Sequence, residues 1–437
     1  MTFAQAPRAS LGDRVAFWTS AGLMLAFSEC WVMFLTGPGE PPPSEPVAAM
    51  IRLAFYPMYV VALALALTRI GGVGKAILRA PALLLLLAVT FASIAWSIDP
   101  EVTTRRCIAL LLTMLGGVTL AERFAWPQLL EVLATALGIT VVLSFALALF
   151  LPEYGLMQVD FPGAWRGAWS HKNNLGYYMS VSFIVFVASA IANAPRRWLW
   201  AIAAAGAFAL ILLSTSKTSL VSCAIAAACM SIMAITRRGP AWAVAGTCVL
   251  VCALVGLAVT LWLTPDLLFG LVGKDITLTG RTSIWSAVLR QIAQRPLLGY
   301  GYGAVWNNKS IWGPLPWISL QQGFVTDEAH NTWLGIWLEL GYVGLGAWAL
   351  LFAGVWLRAL RTLYVPAASY FPLPFLAVFS LHGVTESIAL VQNDLVWLMF
   401  TATAIKLAMP PHPRSEAPSD RDSSVSFATA QTVGSGP

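Results

Sequence analysis

His330, one of four histidines in the chain, sits where a polar stretch gives way to an apolar one, in the run His330-Asn331-Thr332-Trp333-Leu334. An unperturbed imidazole titrates at about pH 6.5, so at neutral pH much of it can accept a proton. The same position also suits a histidine that only caps a helix start at a membrane surface. Upstream lies Gly280-Arg281-Thr282-Ser283-Ile284-Trp285. A guanidinium presents forked donors that match phosphate oxygens. That makes Arg281 a candidate phosphate clamp, against the plainer reading of a solvated loop arginine; Arg290 and Arg295 are weaker candidates for the same task. Lys217 has apolar sequence on both sides. A charge at bilayer depth costs roughly 2.5–3.5 kcal/mol and therefore takes partners, unless the lysine snorkels to the interface. Arg166, His171 and Lys172 form a second basic group, read either as a binding cluster or as an interfacial anchor. Trp285, Trp306, Trp312, Trp317, Trp333 and Trp337 crowd the same region. Their faces suit sugar C–H surfaces, but tryptophan also belts membrane interfaces.

The elements that must position these groups are membrane helices. Of 437 residues, 58% are hydrophobic and 11% charged, with mean hydropathy +0.74. Soluble domains carry roughly 25% charged residues, so the bilayer is the solvent that fits. Apolar runs such as Ala82–Val89 are apolar on every face, which excludes the alternation of a membrane barrel. Backbone groups in lipid must be satisfied internally, so the spans are helices. About twelve are expected by length, at 15–35, 47–68, 80–97, 106–121, 127–151, 174–194, 198–214, 217–236, 240–264, 331–357, 367–384 and 392–409. The all-α, polytopic chain then divides into a cytoplasmic N-terminus (1–14), helices 1–9 (15–264), a large periplasmic loop (265–330), helices 10–12 (331–409) and a disordered cytoplasmic tail (410–437). Arg8, Arg14, Arg69, Lys75, Arg123, Arg196 and Arg237 fall on one side of this arrangement, while Asp99, Glu153, Asp266, Glu328, Glu386 and Asp394 fall on the other. Positive residues stay inside, so both termini are expected in the cytoplasm and the chemistry outside. No signal-peptide cleavage pattern is seen at the N-terminus.

Several signals are set aside. The net charge of +6 is scattered between apolar spans, which argues against nucleic acid. The six cysteines read as small apolar fillers. Asp327-Glu328-Ala329-His330 spells a helicase-like box, but no nucleotide-binding G-x-x-x-x-G-K accompanies it. Asp420-Arg421-Asp422 lies in the expected tail, on the wrong side for an outer site. No carboxylate or histidine cluster has clear metal spacing, so metal-independent chemistry without cofactors is expected.

Three blocks in order carry a resemblance: Gly280-Arg281 through Trp285, then Pro296-Leu297-Leu298-Gly299-Tyr300-Gly301, then His330-Asn331 followed by Glu339-Leu340-Gly341 and Gly344. This arrangement resembles the O-antigen ligase and polymerase superfamily. Trp169-Ser170-His171-Lys172-Asn173-Asn174, Leu213-Ser214-Thr215-Ser216-Lys217-Thr218-Ser219 and Thr385-Glu386-Ser387 with Asn393 resemble its exopolysaccharide-production polymerases of the ExoQ type. The resemblance covers roughly residues 160–400. It implies a bacterial inner-membrane glycosyltransferase that passes a glycan from an undecaprenyl-diphosphate carrier to a sugar hydroxyl on the periplasmic side, with inversion. His330 would be the base and Arg281 the diphosphate clamp. Lys217, Arg166, His171, Lys172, Asn331, Arg295 and Trp285 would bind substrate, with Asp327 and Glu328 orienting His330. Partners would be the lipid-linked donor, the glycan acceptor, the bilayer and other polysaccharide assembly and export proteins. Superfamily ligases commonly carry Arg where this chain has Lys217, which favours the polymerase reading. The alternatives are a ligase using lipid A core as acceptor and a transporter without bond chemistry. The absence of an internal repeat disfavours the transporter.

Overall fold

A computed structural model describes residues 10–38, 44–159, 161–263, 281–306, 313–322, 326–365 and 369–410, without the side chains of 254, 257–259 and 261–263. Residues 265–280, 307–312 (with Trp312) and 323–325 of the expected large loop and residues 411–437 of the expected tail lie outside the described residues. Among the described residues the chain is helical, and the only β pairing is an isolated bridge between Leu156 and Trp165.

Among the described residues seven helices are long and apolar enough to cross a membrane: Glu45–Leu67, Pro100–Arg123, Trp126–Phe150, Lys172–Ala192, Ala194–Leu213, Lys217–Thr236 and Thr332–Tyr364. The pair Ile70–Leu78 and Pro81–Trp96 adds an eighth if counted as one span, although it bends by 91°. The bend falls where Ala80 leaves helical geometry ahead of Pro81, whose ring removes a backbone donor. Pro240–Ala253, Pro372–Thr385 and Leu395–Ala408 are shorter apolar helices. Every one of the twelve expected segments therefore overlaps a helix, but length and apolarity support seven or eight spans. The expected first span, 15–35, is interrupted. Its helix, Leu11–Phe27, stops, and the chain turns through Glu29 at φ 59° before the short helix Met33–Thr36.

With lipid around them, helices associate through close packing rather than water exclusion. Gly117 lets the Pro100 helix approach the Leu398 carbonyl and Thr401 of the Leu395 helix. Trp348, Phe352, Phe379, Trp397 and Phe400 stack into one aromatic core, with Trp348 and Trp397 fully buried.

The described part of the large loop has a core of its own. The helix Arg281–Ile292 buries Ile284, Ala287, Val288 and Ile292 against Tyr300, Val305, Ile318 and Leu338. The glycine-rich run plugs a break in the helix Thr332–Arg361, where Gly341 takes φ 63°, ψ −165°. Tyr300 N and Gly301 N donate to the Leu338 and Glu339 carbonyls at 3.1 and 2.8 Å, and Tyr342 N donates to Pro296 O at 2.8 Å. A Cβ on Gly341 would collide with the Leu297 carbonyl. Glu339 closes the joint by accepting from Gly303 N at 2.9 Å. It thereby packs the glycine-rich run against the helix.

Candidate active site

Gly176 brings two sequence motifs together. A Cβ there would strike Ser216 and Ser219, so only glycine lets the Lys172 and Lys217 helices start side by side. Their first residues, Lys172 and Lys217, line one cavity of about 470 Å³ with Arg281, Glu29, Glu328, Glu386 and Asp394. Two helix N-termini thus face the same space, each with a partial positive charge that favours an anion. Lys172 Nζ donates to Thr215 Oγ1 at 3.1 Å and lies 3.8 Å from the Phe161 ring centroid. Tyr177, Tyr178, Trp169 and His382 complete an aromatic wall.

Arg281 does not point at open space. Its Nη2 donates to Glu386 Oε1 at 2.6 Å, and His330 Nδ1 lies 3.0 Å from Glu386 Oε2 and 3.0 Å from Glu328 Oε1. Arg281 and the two carboxylates line the cavity; the imidazole sits behind the carboxylates. Burial alone would lower the His330 pKa, but hydrogen bonds and charge from Glu328 and Glu386 outweigh it and lift the value to about 10. Burial would raise Glu386, but His330 and Arg281 hold it below the usual carboxylate range. The expected neutral imidazole is therefore an imidazolium at neutral pH, because two carboxylates share its Nδ1 proton. Glu328 does orient His330, as its position suggests; Asp327 is exposed.

Among the described residues five non-glycine residues adopt left-handed backbone: Glu29, Thr215, His330, Leu390 and Asn393. Glu29 and Thr215 line the cavity, and the other three adjoin its lining residues. Such strain persists where surrounding structure imposes it and clusters at functional sites.

The remaining sequence candidates are placed elsewhere. Arg166 is 1% exposed and donates to the carbonyls of Tyr154, Glu153 and Pro38 at 2.6–2.9 Å. It ties the 152–167 segment to residue 38, outside the cavity lining. His171 caps the Lys172 helix, its Nδ1 accepting from Asn173 N at 3.1 Å. Asn331 caps the Thr332 helix, its Oδ1 accepting from Trp333 N and Leu334 N. Arg295 is exposed, 5.1 Å from the Tyr300 ring centroid. Trp285 is half-buried on the Arg281 helix, with its indole N–H unpartnered. None of the five lines the cavity.

Sequence reasoning assigned no role to Glu29, Asp394, Tyr178 or His382. Glu29 lies inside an apolar run, where a polar residue near the end of an expected span was the available signal. Asp394 accepts from Tyr178 OH at 2.9 Å and from Trp397 N at 2.7 Å. Glu328, His330 and Glu386 also offer ligand atoms within 4.8 Å of one another, a set able to hold a divalent ion. Arg281 already occupies one oxygen of Glu386.

Residues 201–349 match the family model described as O-Antigen ligase. That segment contains Lys217, Arg281 and Glu328, while Glu29, Lys172, Glu386 and Asp394 come from outside it. The chain is also similar to the exopolysaccharide production protein ExoQ of Rhizobium meliloti (strain 1021), with 30% identity over 222 residues. The alignment takes in 48% of this chain and 49% of that protein, so the chain spans about half the length of the curated relative it matches. The segment that supplies Lys217, Arg281 and Glu328 to the cavity is thus the one that is similar to the O-Antigen ligase family.

Proposed function

We propose that the chain polymerises undecaprenyl-diphosphate-linked repeat units into exopolysaccharide by inverting glycosyl transfer at the periplasmic face of the inner membrane. The observation that carries this reading is the pairing of Lys172 and Lys217 at two adjacent helix N-termini in one cavity with Arg281. Preorganised donors act most strongly where charge builds on a leaving group, and a diphosphate is such a group. The lysines and the helix ends hold the diphosphate. Arg281 is fixed at the margin by Glu386. His330 contributes as a cation that locks Glu328 and Glu386 in place, rather than as the resting base. The acceptor hydroxyl attacks the anomeric carbon as the bond to the diphosphate breaks, and its proton passes to a carboxylate of the cavity. No metal is needed in this scheme.

The distribution of charge supports the periplasmic side of this reading. Arg14, Arg69, Arg123 and Arg196 line a second cavity that includes Asp13 and Glu131, near the end of the Leu11 helix opposite Glu29. Basic residues favour the cytoplasm, which supports reading the Lys172–Lys217 cavity as the outer one. A ligase reading, with lipid A core as acceptor, is favoured by the description of the matched family. Glycan analysis of a deletion strain separates the two. Lost secreted polysaccharide with intact lipopolysaccharide supports the polymerase; unglycosylated lipid A core supports the ligase. Complementation with Lys172→Ala or Lys217→Ala should restore neither product, and full restoration by both would overturn the diphosphate assignment.

A further inference from the structure

Four carboxylates line the cavity, and three are already engaged. Glu328 is on His330, Glu386 on Arg281 and His330, and Asp394 on Tyr178 and the start of the Leu395 helix. The Glu29 carboxylate receives no hydrogen bond and no ion pair among the described residues, although it borders the cavity that holds the cations. An acceptor left open on a carboxylate is what an incoming hydroxyl requires.

The turn that presents it is held on both sides. Trp31 Nε1 donates to Ala26 O at 2.8 Å, and Trp169 Nε1 donates to Ser28 O at 2.9 Å. The Ser28 hydroxyl donates to Leu25 O at 2.6 Å. Phe55 stacks on Phe27 and packs against Trp31 beneath the turn. These contacts fix a glutamate in left-handed backbone, at φ 59°, within an apolar stretch of sequence. Trp169 belongs to the motif that leads into Lys172, so the same segment anchors both the Glu29 turn and the first lysine. The carboxylate and the diphosphate cradle are thus held in fixed relation.

We infer that Glu29 is the general base that takes the proton from the acceptor sugar hydroxyl. This rests on the glycosyl-transfer reading above. In the step, the hydroxyl oxygen forms a bond to the anomeric carbon of the donor. The bond from that carbon to the diphosphate oxygen breaks, and its electron pair leaves with the diphosphate held by Lys172 and Lys217. The hydroxyl proton moves to the Glu29 carboxylate and then to water.

The test uses the purified full chain in liposomes with a polyprenyl-diphosphate-linked oligosaccharide, comparing wild type, Glu29→Gln and Glu29→Asp. Glu29→Gln should lower kcat by about 10²- to 10⁴-fold, the usual weight of a placed base, with KM for the donor and thermal midpoint unchanged. Glu29→Asp keeps a carboxylate and should retain a measurable part of the rate. Near-wild-type turnover by Glu29→Gln overturns the assignment and leaves the glycosyl-transfer reading intact. So does a parallel loss of donor binding or fold, which would make Glu29 a structural residue. A wild-type protein that forms no glycosidic bond overturns both.

Discussion

Replacing Glu386 with Gln tests the electrostatic core of the site. In the wild type, two carboxylates lie equally close, 3.0 Å, to His330 Nδ1. Together they raise its pKa from 6.5 to about 10 against the opposing effect of burial. At 1.36 kcal/mol per pKa unit, that is about 5 kcal/mol of preference for the imidazolium. The side chain is 28% exposed, so most of this interaction is sheltered from solvent screening. Burial keeps opposing the charged form in the variant, so removing the Glu386 charge should take away more than half of the net rise and move the His330 pKa back toward its ordinary value. The folded value lies above the unfolded one, so the clamp's stabilisation is complete below pH 6.5 and lost as pH rises through about 10. The Glu386 shift runs the other way: its share is present above the unfolded 4.5 and lost as pH falls through the lowered value. Glu386→Gln should therefore flatten both limbs of a stability profile. The assay is NMR of ring-labelled histidine; with four histidines in the chain, His330→Gln identifies the signal. A wild-type His330 that titrates near 6.5, or one unmoved by Glu386→Gln, would refute the clamp.

Arg166→Met leaves three backbone carbonyls without their donor, each costing about 1–3 kcal/mol. The thermal midpoint should fall while kcat per folded molecule holds; a selective loss of kcat would return Arg166 to the binding site. Gly176→Leu drives a side chain into Ser216 and Ser219 and should separate the two lysines, raising donor KM more than it lowers stability, with unchanged KM as the contrary result. Arg281→Ala frees Glu386 and removes a donor at the leaving group, for an expected loss of about 10²-fold or more in rate; activity within a few-fold of wild type would exclude that role. Chelator treatment should leave turnover unchanged. Loss restored by a divalent ion would instead make Glu328, His330 and Glu386 metal ligands.

The parts of this site legible in the sequence were those carried by motifs at helix starts. Lys172 was marked by its basic group with Arg166 and His171, Lys217 by charge between apolar stretches and Arg281 by its forked donors, and the fold brings all three to one cavity. Helix positions were legible for the same reason, because apolar runs announce themselves. What could not be read was the three-dimensional role of polar residues with good local alternatives. His171 and Asn331 turn out to cap helices, and Arg166 satisfies carbonyls, because each found a partner nearby. The charge state of His330 depended on Glu386, 56 positions away in sequence. Glu29 was hidden by its neighbours: an apolar run gives no hint that the helix stops at Phe27. Among the described residues the expected spans are shortened or bent where proline or a turn breaks a hydrophobic stretch, as at Pro81 and Glu29.

The central claim is that this cavity joins lipid-linked sugars. The direct measurement is mass spectrometry of products from purified protein reconstituted with a polyprenyl-diphosphate-linked repeat unit and no other protein. Chains of two or more repeats on one carrier, joined with inverted anomeric configuration and lost on Lys217→Ala, are predicted. Recovery of the single lipid-linked unit unchanged, with the protein folded and the donor bound, would contradict it.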